Sequence, residues 1–397
     1  MSDTRVSAMN DISRRRLLEG AAVSTAGLAA MTGIARAESA PAAAGAAPAA
    51  KAATPGFGPF RFALGAQGGK MLDGGWAKEA TVAEFPISVG VAGVLMSLKP
   101  GALRELHWHA NAAEWAYVIS GRCRTTVFDP AGRSEVLDFG PGDVWYFPRG
   151  HGHSLLGVGP EDCLFILAFD NGHFSEFATF SISDWVGHTP VEVLQKNFGL
   201  PASTFAYFPK REVYISQGVV PGPLPLDPAP GTAETTVLTH RYSLLAQKPK
   251  VFSGGTFRYV SAKEFPISTT MTGARLTLTP GSLRELHWHP NANEWQYYVR
   301  GRARMTIFGS SGRAEVVEFG AGDVGYVPMG YGHSVENAGG EELEVVFAFD
   351  SGDYQEISIA EWLAATPASI LATNFQQPEE IFSHFPDRSM FIAPEKG

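Results

Sequence analysis

Two kinds of metal-binding side chain, histidine and glutamate, recur in one order at two places in the chain. His107, His109, Glu114 and His153 form the first set, and His287, His289, Glu294 and His333 repeat it at identical spacings. On a strand, residues two apart share a face and lie about 7 Å apart along the backbone, so each His-x-His pair is expected to converge on one ion. The glutamate comes after a short turn, and His153 after the turn at Pro148-Arg149-Gly150. Three neutral imidazoles and a carboxylate leave an octahedral ion two adjacent open positions, which suits manganese or iron better than a closed structural zinc site. A lone histidine is more often an ordinary core or surface residue, but eight ligand-type residues in a duplicated order set that reading aside.

The elements that position these residues are themselves duplicated. Glu84-Phe85-Pro86-Ile87-Ser88 matches Glu264-Phe265-Pro266-Ile267-Ser268 at an offset of 180, and the offset holds without a gap to Asp170 and Asp350. Such a register means two domains of one fold. Beyond it the offset falls to 177, shown by Trp185/Trp362 and Asn197-Phe198/Asn374-Phe375, so the first copy carries three extra residues, Phe177-Ala178-Thr179, after Glu176. Short alternating stretches such as Ala274, Leu276 and Leu278, punctuated by GPGD (140–143) and GAGD (320–323), predict an all-β antiparallel sandwich or barrel in each copy. Thr189 as N-cap, Pro190 at the first helical position and Gly199 past the end predict a helix over 190–198. The Pro, Gly and Thr-rich residues 216–234 are the expected linker, with domain 1 at 57–215 and domain 2 at 235–397.

Ahead of the domains, Arg14, Arg15 and Arg16 precede a mildly apolar run from Ala21 to Ile34 and the small-x-small pattern Ala35-Arg36-Ala37. Residues 1–37 therefore resemble a twin-arginine export signal, followed by an Ala/Pro-rich tether at 38–56, and the expected location is periplasmic or secreted. Formal net charge is -9, with no basic cluster past these first residues, which excludes nucleic acid as a partner; no membrane association is expected once the signal is removed. Cys123 and Cys163 allow a disulfide in an oxidising compartment, but Ala303 and Leu343 at the matching positions favour free buried thiols.

Gly101, His107, His109, Glu114 and Gly121, with Gly281, His287, His289, Glu294 and Gly301, fall on the first motif of the cupins, and Gly142, Pro148, Gly150 and His153 on the second. More narrowly, RELHWH, EWAYVISG, GDVWYFPRG and EWQYYVRG resemble the bicupin oxalate decarboxylases over residues 57–390. The resemblance implies two double-stranded β-helix (jelly-roll) barrels, each with a short C-terminal helical segment, in a homo-trimer or a homo-hexamer. It also implies two Mn2+ sites, with iron the runner-up, and dioxygen as co-substrate. Arg104 and Arg284 precede the first histidine by three residues, the opposite face of a regular strand, yet the family places this arginine in the pocket. There a guanidinium beside an open metal position would hold a small dianion, oxalate; pairing with Glu105 or Glu285 is the plainer alternative. Glu176 matches the family's proton-transferring acid/base on a mobile lid, and the extra residues behind it mark the first copy as the catalytic one. Two features depart from the family: Phe177 and Ala178 stand where small polar residues are usual, and Phe347 stands where the second site has a glutamate. The expected activity is conversion of oxalate to formate and carbon dioxide. Oxalate oxidation to carbon dioxide and peroxide, or metal binding without catalysis, are the alternatives.

Overall fold

The computed structural model describes residues 57–224 and 239–395. The expected export signal, the tether at 38–56 and part of the expected linker lie outside the described residues.

Each copy folds as a seven-stranded sheet facing a six-stranded sheet, all strand pairs antiparallel. In the first barrel, the strands Ala102–Trp108, Gly152–Gly157, Cys123–Phe128 and Ser134–Phe139 form the body of the smaller sheet. The larger sheet contains Asp143–Phe147, Glu114–Ser120, Cys163–Phe169, Ala92–Leu98 and Gly75–Ala80. Ala116, Val118, Cys123, Val127, Phe165 and Leu167 pack between these sheets, so the alternating pattern reads as predicted. Cys123 and Cys163 are both buried with free thiols. The neighbouring Cys163 thiol, and then burial, push the Cys123 thiol well above its ordinary range, so it packs as an apolar group.

The outer face of the large sheet is apolar too, because the second barrel covers it. Trp115 and Tyr117 of the first copy meet Trp295 and Tyr297 of the second in a core shared by both barrels. The contact is reciprocal: a Cβ at Gly273 would lie 1.9 Å from the Trp115 ring, and one at Gly93 would lie 2.1 Å from the Trp295 ring. Glycine is the residue that admits each indole.

The barrels also exchange edge strands. Arg61–Phe62, at the start of the first copy, pairs with Val324–Val327 of the second. Arg241–Ser243, at the start of the second, pairs with Asp143–Phe147 of the first. The strand Ile215–Gln217 joins Ala102–Trp108, which carries the first barrel two residues into the segment expected to be linker.

A helical pair follows each barrel: α1 (Ile182–His188) and α2 (Val191–Phe198), then α3 (Ile359–Ala365) and α4 (Ala368–Phe375). The prediction of one helix with Thr189 as its N-cap needs correction. Thr189 closes α1, its hydroxyl donating to Trp185 O at 2.7 Å, while Pro190 caps α2 and Gly199 ends it with a left-handed φ of 67°. The earlier helix starts at Ser181, whose Oγ accepts from Asp184 N, a capping signal passed over in the sequence.

Candidate metal centres and the lid

The strand Ala102–Trp108 does most of the positioning in the first barrel. His107 lies opposite His153, but Leu155 lies opposite Arg104, so three residues on one strand span two on its neighbour. This β-bulge reverses the parity expected of a regular strand and turns Arg104 to the same interior as His107. Both side chains are fully buried, while Leu106 between them is 53% exposed. The same bulge lies between Arg284 and His287.

His107, His109 and His153 belong to the smaller sheet and its edge, and Glu114 to the larger one, so the group sits between the two layers. One ligand atom from each lies within 4.8 Å of all the others, and the same holds for His287, His289, Glu294 and His333. His107 Nδ1 donates to Glu105 O at 2.6 Å and His153 Nδ1 to His151 O at 2.9 Å, which directs the Nε2 lone pair inward. Burial, then the Arg104 charge, holds His107 well below its ordinary range; burial lowers His109 as well. Neutral imidazoles are the ligand form. Nε2 of His107, His109 and His153 and Oε2 of Glu114 are buried without hydrogen-bond partners. Four orphaned donor atoms aimed at one point fit a divalent ion.

Glu114 gives its other oxygen to Trp145, whose Nε1 donates at 2.6 Å. In the second barrel Gln296 Nε2 donates to Glu294 Oε1 at 2.7 Å. Ala116 faces Trp145 across one pair of strands and Gln296 faces Gly325 across the other, so the large and small partners have traded strands. These orienting donors were missed in the sequence, because each copy carries its own at a different position.

Glu176 lies in a short turn, Glu176–Ala178, folded down over the first site and 1% exposed. Its carboxylate accepts from Arg104 Nε at 2.8 Å and lies 3.8 Å from His107 Nε2 and 3.5 Å from His109 Nε2. Burial would raise its pKa, but Arg104 and His109 outweigh burial and hold the carboxyl down at about 2. Arg104 spends a second donor, Nη2, on Thr179 Oγ1 at 2.8 Å, stacks 4.1 Å over the Tyr214 ring, and keeps Nη1 without a partner. The pairing of Arg104 with Glu105 does not occur: Glu105 accepts from the backbone N–H groups of Val213 and Tyr214 and so holds the aromatic platform in place. Phe177 packs edge-on against Tyr214 at 5.9 Å, and Phe174 against His109 at 4.8 Å. The apolar lid residues thus hold the turn down by packing. A cleft of about 280 Å³ runs from His109 past Phe174 and Thr179 to the surface.

The second site differs in its cover. Glu356 pairs with Arg284 and accepts from Tyr354 Oη at 2.7 Å, but it makes no ion-pair contact with the histidines and is 23% exposed. Phe347 and Phe257 line this pocket, whose free volume is about 10 Å³.

The cupin family model matches residues 67–204 and 242–381. The chain is 44% identical over 311 residues to oxalate decarboxylase OxdC of Bacillus subtilis, covering 78% of this chain and 80% of that protein. It is 36% identical over 334 residues to a probable oxalate decarboxylase of Arthroderma benhamiae, covering 82% and 80%. A solved structure of the Bacillus subtilis oxalate decarboxylase, described for its Mn(II) centres, superposes with a TM-score of 0.81 at 40% identity, covering 86% of this chain and 90% of that one.

Proposed function

We propose, for a chain that belongs to the cupin family and within it to the bicupin oxalate decarboxylases, that oxalate is cleaved to formate and carbon dioxide in the first barrel. The observation that carries this reading is the Glu176 carboxylate, held between Arg104 and the histidine nitrogens in the first barrel only.

His107, His109, Glu114 and His153 would hold manganese, and His287, His289, Glu294 and His333 a second ion. When bound, manganese would supply, with dioxygen, the one-electron oxidation that lets the carbon–carbon bond of oxalate break. The free Nη1 of Arg104 offers a donor to the substrate carboxylate and orients it beside the metal. Glu176, ionised at rest, takes the proton of mono-protonated oxalate and returns it to the carbon left when carbon dioxide departs. The balance is C2O4H⁻ to HCO2⁻ and CO2, with no net change of redox state. Where that proton is not delivered, oxidation competes: C2O4H⁻, O2 and H⁺ give two CO2 and H2O2. Phe174 against His109 and Phe177 against Tyr214 give the closed lid apolar contacts beside the site.

At the second site Arg284 is committed to Glu356, and Phe347 and Phe257 surround it with apolar surface, so its ion would hold the barrel together. Exposed aromatic residues on the helical pairs, Trp185 at 63% and Trp362 at 61%, support assembly into a trimer or hexamer through these faces. The sequence of residues 1–37 supports export to the periplasm or medium. Among the described residues no helix is long and apolar enough to cross a membrane.

The deciding assay supplies manganese, oxalate and oxygen at mildly acid pH and follows formate, peroxide and carbon dioxide together. Formate near one per oxalate is expected; stoichiometric peroxide would overturn the assignment. Glu176→Ala is expected to abolish formate while manganese stays bound, and unchanged formate would move the chemistry to the second barrel.

A further inference from the structure

The lid closes onto the strand Gly75–Ala80. Ala77 packs in the first barrel's core, and Glu79, two residues on, shares its inward face. An inward carboxylate is costly unless something pairs with it, and among the described residues no cationic side chain does. Among the described residues, every hydrogen bond Glu79 makes goes to the lid. Ser175 Oγ donates to Oε1 at 2.9 Å and to Oε2 at 3.0 Å, and the Glu176 N–H donates to Oε2 at 3.0 Å. Ser175 Oγ in turn accepts from the Phe177 N–H at 3.2 Å, which starts the turn that carries the Glu176 side chain. Glu79 thereby sets the peptide on which the acid/base stands.

The duplication supplies an internal control. Glu79 lies opposite Val94, and at the matching register Tyr259 lies opposite Ala274. Tyr259 stacks on Tyr354 at 5.0 Å, and the Glu356 of that copy stays away from its histidines. The carboxylate anchor and the long lid occur together, in the first copy only.

We propose that Glu79 is a positioning residue that latches the lid, keeping Glu176 over the first metal site long enough to return its proton, and so favours formate over peroxide. This rests on the decarboxylase reading above. Burial pushes the Glu79 carboxyl up to about 7, and the latch tolerates either state: a neutral carboxyl donates to Ser175 Oγ and still accepts from the Glu176 N–H.

The test compares the manganese-loaded full chain with its Glu79→Ala and Glu79→Gln variants. Amide exchange of residues 173–180 is measured without oxalate, and formate and peroxide are measured per oxalate consumed. For Glu79→Ala, exchange in the lid is expected to rise roughly tenfold, formate turnover to fall by about the same factor and the peroxide share to grow severalfold, with metal content unchanged. Glu79→Gln, which keeps an acceptor for the Glu176 N–H, is expected to recover part of each. Adding Ser175→Ala to Glu79→Ala should change little, since both remove one contact. Lid exchange equal to the parent, or faster exchange throughout the barrel with manganese lost, would overturn the proposal. Faster lid exchange with an unchanged product ratio would overturn it too. A parent chain that makes no formate would instead refute the decarboxylase reading, leaving the exchange comparison to decide the latch.

Discussion

Trp145 and Gln296 orient the two glutamate ligands from opposite strands, and each leaves one carboxylate oxygen turned toward the histidines. Trp145→Phe keeps the packing but orphans Glu114 Oε1. Manganese affinity at the first site is expected to fall about 10- to 100-fold while the second is untouched, as read by titration with a spectroscopic probe of each site. Protonation gives a second prediction. Glu79, raised to about 7 by burial in the closed lid, has an ordinary value nearer 4.5, so the closed form binds the extra proton. Closure is therefore opposed above pH 7 and eased as pH falls toward 4.5. Glu176, lowered to about 2 by Arg104 and His109 against the pull of burial, contributes unchanged over that window. Lid protection, corrected for intrinsic exchange, is expected to rise from pH 8 to pH 5 and to lose that rise in Glu79→Gln.

Among the elements, the bulged strand and the lid account for what sequence reading reached and what it did not. All eight ligands were legible because the His-x-His pair shares one strand face and the glutamate and third histidine recur at identical spacings in both copies. The inward turn of Arg104 was not, since a bulge leaves no mark on one strand and exists only against the register of its neighbour. Glu79 was hidden for a related reason: nothing near it in sequence mentions the lid, which lies almost a hundred residues on. The longer lid was visible as a gap in the repeat, and Thr179 shows its use, tying the loop back to Arg104. Removing Phe177-Ala178-Thr179 gives the first copy the connection of the second. Formate production is expected to drop on the order of 100-fold with both metal sites still loaded, measured by product assay and metal analysis.

In the whole molecule, the two barrels share a core built on paired indoles and glycines, which the strand patterns disguised by being apolar on both faces. Gly273→Ala puts a methyl group where the Trp115 ring already stands and is expected to cost about 1–3 kcal/mol or more, seen as a lowered unfolding midpoint. Chelation is expected to lower that midpoint as well, since an ion bound only by the folded state stabilises it. The exchanged edge strands have a consequence for biosynthesis. The first barrel's large sheet lacks its outer strand until Arg241–Ser243 has been made, and the arm at Arg61–Phe62 has no partner until Val324–Val327 follows. The first barrel thus stays unfinished until the opening of the second has been made, and these pairings join residues more than 90 and 260 positions apart. Each barrel is completed only by a strand of the other half, and truncation between the barrels would leave an unpaired sheet edge and a bare apolar face on the half that remains.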